Sequence, residues 1–127
     1  MRKVIYTSMF GYKSNTNYYL HEPKCDLNGW DLICFTDEVS IKSNVWNVRV
    51  VDRIYTDGAR QNRLYKILPH KHLKEYDVSV CIDADVCIVK NIDDIVTKNL
   101  KRHNMSVLDH SICGMTTTGD LNRRNCI

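Results

Sequence analysis

The run "VSVCIDADVCIVKN" at residues 78–91 sets two aspartates, Asp83 and Asp85, one residue apart inside otherwise apolar sequence. Two carboxylates about 4 Å apart repel by about 1 kcal/mol in water, and by several times that at the lower effective dielectric of a half-buried site. A divalent cation relieves that repulsion. In extended chain, residues two apart face the same way, so Asp83 and Asp85 can address one ligand space. Oxygen-only ligands favour a hard ion, Mg2+ or Mn2+, which keeps waters and takes further ligands from phosphates. Upstream, "RQNRLYK" supplies Arg60, Arg63 and Lys66, the charges a phosphate needs. On a helical wheel Leu64, Ile67 and Leu68 define an apolar stripe, with Arg60 inside it and Lys66 well off it. Arg60 also stands near the helix start, where free N–H groups and the dipole favour an anion. The plain alternative is a solvated turn at Asp83-Ala84-Asp85 beside a solvent-facing charged helix. Against the turn stands the lack of Gly, Pro, Asn or Ser in its flanks.

These residues need elements to carry them. "KVIYTSMF" (3–10), alternating and rich in β-branched and aromatic residues, predicts a first strand ending at Gly11. "WDLICFTDE" (30–38) predicts a second strand with a polar tip, and "VWNVRVVD" (45–52) a third with period-two alternation. A helix is expected from about Gly58, with Asp57 as N-cap and Pro69 near its end. The 78–91 run then reads as a strand, an interruption at Asp83-Ala84-Asp85, and more extended chain. "NIDDIVTKNL" (91–100) predicts a short helix and "MSVLD" (105–109) a last strand. Strands alternating with helices predict an α/β fold, a Rossmann-like mixed, mostly parallel sheet with flanking helices. In such sheets ligands bind at the carboxyl ends of the strands, where the aspartate pair would fall.

A chain of 127 residues is one domain's worth, and its net charge of +3, spread among interleaved acids and bases, gives no footprint for nucleic acid or a membrane surface. It suits an anionic small ligand. The start "MRKVIYTSMFGYKS" lacks a small-residue cleavage site, which argues against a secretory signal, and no stretch has the length of a membrane span. None of the six cysteines (Cys25, Cys34, Cys81, Cys87, Cys113, Cys126) forms a CxxC pair. They read as buried small hydrophobes in a reducing, cytoplasmic setting. His70 and His72, with no second ligand cluster beside them, read as a polar helix end rather than a metal pair.

The segment "RQNRLYKILPHKHLKEYDVSVCIDADVCIV" resembles the part of GT-A fold glycosyltransferases in which an Arg/Lys-bearing helix leads into an apolar strand ending in Asp-x-Asp. "VIYTSMFGYK" and "CFTD" fit the same pattern, and the ordered landmarks are similar to those of the small glycosyltransferase domain of chlorella viruses and its relatives. The likeness runs from residue 1 to about 110. It implies Mn2+ or Mg2+ on Asp83 and Asp85, with Asp83 also at the nucleotide diphosphate. It implies Thr7, Phe10, Gly11 and Tyr12 at the nucleotide-binding end of the first strand, and Asp37 near the base or ribose. Arg60, Arg63 and Lys66 would face the diphosphate or donor sugar. The implied reaction is transfer from a UDP-sugar donor to a glycan acceptor, in the host cytoplasm if the protein is viral.

The relatives continue well past the strand that "MSVLDH" resembles, so the resemblance implies a GT-A domain over 1–110, an irregular tail over 111–127, and a missing C-terminal part. His110 matches a histidine following that strand in the relatives and reads as structural. Self-association or a partner chain would then cover the sheet. Two other readings remain: a nucleotide-binding half without turnover, and a phosphatase of the haloacid-dehalogenase type. In the latter the Asp-x-Asp usually lies on the first strand, with Thr or Val two residues after the second Asp, where this chain has Cys87.

Overall fold

β1 (Lys3–Met9) is buried from Val4 onward, and its alternation assigns its side chains to two different layers. Val4, Tyr6 and Phe10 enter one cluster with Ile33, Phe35, Tyr65 and Leu73, while Ile5, Thr7 and Met9 face the opposite side of the sheet. This is the centre of a four-stranded sheet in a computed structural model that describes residues 1–11 and 20–107. The chain forms two compact units, Met1–Asn91 and Ile92–Ile127. The expected boundary at 110/111 and the whole 111–127 tail, with His110, lie outside the described residues.

In the first unit β2 (Trp30–Thr36), β3 (Asn47–Val50) and β4 (Val78–Cys81) join β1 in the order β3-β2-β1-β4. Every pairing is parallel: Lys3 lies beside Trp30 and Val78, and Ile33 beside Asn47. The fold is α/β, as its alternating elements predict. β2 stops at Thr36, short of the expected Glu38, because the Thr36 hydroxyl donates to the Met9 carbonyl at 2.7 Å and accepts from the Glu38 N–H at 3.1 Å. That bond turns the chain out of the ladder at Asp37. β3 is likewise shorter than 45–52: before it the N–H groups of Val45 and Trp46 turn to the Ser43 hydroxyl at 3.1 and 3.0 Å, and past it those of Ile54 and Tyr55 turn to the Gln61 carbonyl at 3.0 and 3.1 Å.

α1 (Gly58–Ile67) begins where expected, with the Asp57 carboxylate accepting from the Ala59 N–H at 3.0 Å. It ends at Leu68 because the following Pro69 disfavours helical backbone before it and opens a new turn, α2 (Pro69–His72). The face that α1 buries differs from the expected stripe. Gln61 and Tyr65 are buried and Leu64 half-buried, whereas Ile67 is 68% exposed. Gln61 enters the core because its carbonyl oxygen satisfies two loop N–H groups, although its buried Nε2 has no partner among the described residues. Tyr65 stacks on Phe10 at 5.2 Å, tilts against Phe35 at 4.5 Å and stacks on the His72 ring at 4.2 Å. Fully buried Ile5 and Ile33 each contribute about 1.5–3 kcal/mol of hydrophobic stabilisation.

The cysteines divide. Cys34 is buried and desolvation pushes its thiol up to about 12, as a small hydrophobe would behave, but Cys81 is exposed and Cys25 and Cys87 are half-exposed. Cys81 is the last residue of β4, an edge strand of the sheet, which gives it a strand neighbour on one side alone among the described residues. In the second unit α3 (Asp93–Leu100) matches the predicted short helix, with Asp93 and Asp94 favourably placed at its positive end. Met105 to Val107 pair with no strand, and Met105 and Val107 are largely exposed, so these residues do not begin the expected last strand; Leu108 and Asp109 lie outside the described residues. Among the described residues no helix is long and apolar enough to cross a membrane.

Candidate functional site at the carboxyl pole of the sheet

Because all four strands run the same way, the segments leaving β1, β2, β3 and β4 emerge at one pole. From β1 the chain steps outward to β2 and β3, then crosses back through α1 to β4 on the far side of β1. The β1–β4 boundary is therefore the point where connections diverge, the place at which open α/β sheets bind ligands. On one side of it stand Phe10 and Gly11. On the other stand Ile82, whose N–H still bonds to the Tyr6 carbonyl at 3.0 Å, and the two aspartates.

Asp83 and Asp85 do not lie in extended chain. The Val86 N–H bonds to the Asp83 carbonyl at 3.0 Å, closing a four-residue turn, and both aspartates are exposed. The missing Gly or Pro misled because Asp is itself favoured at the first turn position, here Asp83. Solvent therefore screens the pair, and their repulsion is near the aqueous value rather than a buried one. Beyond the turn the chain stays extended, with the Ile88 carbonyl accepting from the Lys24 N–H at 2.8 Å. Lys66 reaches back along α1 to form an ion pair with Asp83, as helical side chains lean toward the helix N-terminus. The Asp85 carboxylate has no hydrogen bond or ion pair among the described residues.

Arg60 and Arg63 are both exposed on α1, so Arg60 does not belong to the buried stripe where the wheel set it. Its guanidinium lies 5.9 Å from the Tyr55 ring, at the α1 N-terminus. Thr7 is fully buried in β1 and its hydroxyl is unpartnered among the described residues, so it supports the pole from beneath rather than lining it. The Phe10 N–H is held by the Asn62 side chain at 3.2 Å. Gly11 has φ +73°, and a Cβ there would come within 2.9 Å of Arg53 Nη2. A Cβ on Gly58 would meet the Phe10 carbonyl at 2.9 Å, so the β1 end and the α1 start touch backbone to backbone. Tyr12 lies outside the described residues.

Asp37, at the tip of β2, is paired with Arg53, whose Nε donates at 2.5 Å while Nη1 donates to the Thr56 carbonyl at 2.8 Å. Sequence reading passed over Arg53, Asn62 and Gln61. Only strand register brings Arg53 beside Asp37, whereas Gln61, Tyr65 and Leu68 do share helical spacing once glutamine is admitted to the buried face. The pole thus gathers Asp37, Lys66, Asp83 and Asp85, with Arg60 and Arg63 on the adjoining helix. In donor chemistry the two turn carboxylates suit a hard divalent ion completed by water and phosphate oxygens. Searches of protein-family models, curated proteins and solved structures found no match to this chain.

Proposed function

We propose that the Met1–Asn91 unit is the donor-binding part of a metal-dependent glycosyltransferase of GT-A type, taking a UDP-sugar and passing the sugar to a glycan hydroxyl. One observation carries the reading: Lys66 paired with Asp83, and Asp85 left unpaired among the described residues, at the carboxyl end of a parallel sheet's edge strand beside the point where connections diverge. Asp85 and Asp83 are the residues that would hold Mn2+ or Mg2+. The ion supplies charge neutralisation for a departing diphosphate. The chain's own part is to bind and orient. Lys66 exchanges its carboxylate partner for a phosphate oxygen, and Arg60 and Arg63 add positive charge along the same helix. The close contact of Gly11 and Gly58 holds the start of α1 against the end of β1. UDP, rather than another nucleotide, rests on the sequence resemblance.

The test is calorimetric titration and thermal melting with UDP, with and without Mn2+. Binding that requires the ion, and a stabilisation of about 2.7 kcal/mol at a hundredfold excess over Kd, is expected. An unchanged melting curve at high UDP and Mn2+ overturns the proposal. Binding without UDP release from a UDP-sugar and an added glycan would reduce it to a nucleotide-binding unit.

A further inference from the structure

The loops after β2 and β3 and the approach to α1 are tied together by Arg53. Its guanidinium bonds to Asp37 Oδ2 and the Thr56 carbonyl and packs against Gly11, using Nε and Nη1. Asp37 and Arg53 retain only 25% and 30% side-chain exposure, so the pair is partly shielded and its geometry is fixed at two points on the guanidinium. The fork leaves Asp37 Oδ1 without a partner among the described residues, at the strand next to Gly11 and two strands from Asp83.

Resting on the proposed nucleotide site, we infer that Arg53 is a positioning residue for nucleoside recognition. It holds Asp37 so that Oδ1 accepts a hydrogen bond from the ribose hydroxyls or a ring N–H. The diphosphate itself is handled on the β4 side by Lys66 and the turn carboxylates. Arg53 therefore acts on the nucleoside half of the ligand through Asp37. A phosphate anchor would act on both halves.

Two probes separate these roles: UDP with Mn2+, and inorganic pyrophosphate with Mn2+, titrated into the same 127-residue chain. Arg53→Gln is expected to weaken UDP about tenfold, the loss of one charge-assisted hydrogen bond, and to leave pyrophosphate within about twofold. Arg53→Lys, which keeps the charge but cannot hold Asp37 and the Thr56 carbonyl together, should fall between. In an Asp37→Ala background Arg53→Gln should cost nothing further. Equal UDP affinity in Arg53→Gln overturns the inference, as does an equal loss for both probes or a full additional loss in the Asp37→Ala background. A drop in melting temperature that accounts for the lost binding also overturns it, by making Arg53 structural. If the unaltered protein binds pyrophosphate with Mn2+ but gains nothing from the uridine, the inference fails while the metal and phosphate site stands. If it binds neither, the donor-site reading itself has failed.

Discussion

The two poles of the parallel sheet are built from the same kinds of residue and end in opposite conditions. At the amino pole Arg2, Asp31, Asn47, Arg49 and Tyr76 line an open concavity of about 730 Å3. Both of its arginines are paired. Arg2 pairs with Asp31 at 3.3 Å and lies over the Tyr76 ring, the Tyr76 hydroxyl donates to Asp31 at 2.6 Å, and Arg49 pairs with Glu75 at 3.1 Å. At the carboxyl pole, among the described residues, there is more unspent chemistry: an Asp85 carboxylate without a partner and an Arg53 fork with N–H groups to spare. The comparison teaches that room is not recognition. A hollow whose polar groups already satisfy one another gives a ligand nothing to gain, whereas unmatched groups held in place by matched ones do.

The largest expected effect comes from removing the unmatched acid. Asp85→Ala should weaken Mn2+-dependent UDP binding by about 100-fold or more, roughly 2.7 kcal/mol, with the melting temperature unchanged or raised. Calorimetry and melting together check this. Unfolding with metal affinity intact would make the aspartate structural. At the opposite pole Arg2→Ala should cost less than about 1 kcal/mol of stability, because its ion pair is more than half exposed on both sides, and should leave UDP affinity unchanged. Loss of UDP binding in that variant would erase the distinction between the poles.

The smallest effect involves neither pole and serves as a control on stability. Burial, followed by the charges of Lys71 and His70, lowers the His72 pKa below its ordinary 6.5. The unfolded chain then binds the proton more readily, so the stability that neutral His72 contributes is full above 6.5 and is lost as pH falls below it. Thermal melts across that range should show a shallower decline in His72→Phe, whose ring keeps the stack on Tyr65 without a proton to take up.

Much of the fold was legible because β1 and β2 are long apolar runs with strong β propensity, and because Asp57 and Pro69 bound α1 by local chemistry. The Asp83 and Asp85 pair was also legible, but its backbone was not. A turn opened by Asp83 itself carries no glycine to announce it. What sequence could not supply was everything set by register. Asp37 and Arg53 meet because Thr36 lies beside Val50, and Gln61 is buried because two distant loop N–H groups need its oxygen. Polar residues chosen for partners far along the chain look, in one dimension, like solvent-facing ones.

The central place of β1 has a bearing on how the molecule assembles. Its partner on one side, β2, enters the ladder at Trp30, while its partner on the other, β4, enters at Val78, opposite the same Lys3. Closing the longer loop costs about 0.9 kcal/mol more in chain entropy than closing the shorter one. Chain entropy therefore favours pairing β1 with β2 before β4 docks, and the turn behind β4 comes into place only with β4. A nascent or partly unfolded chain would hold its aspartates away from Gly11 and Lys66, so ion capture at this pole would report completion of the native topology.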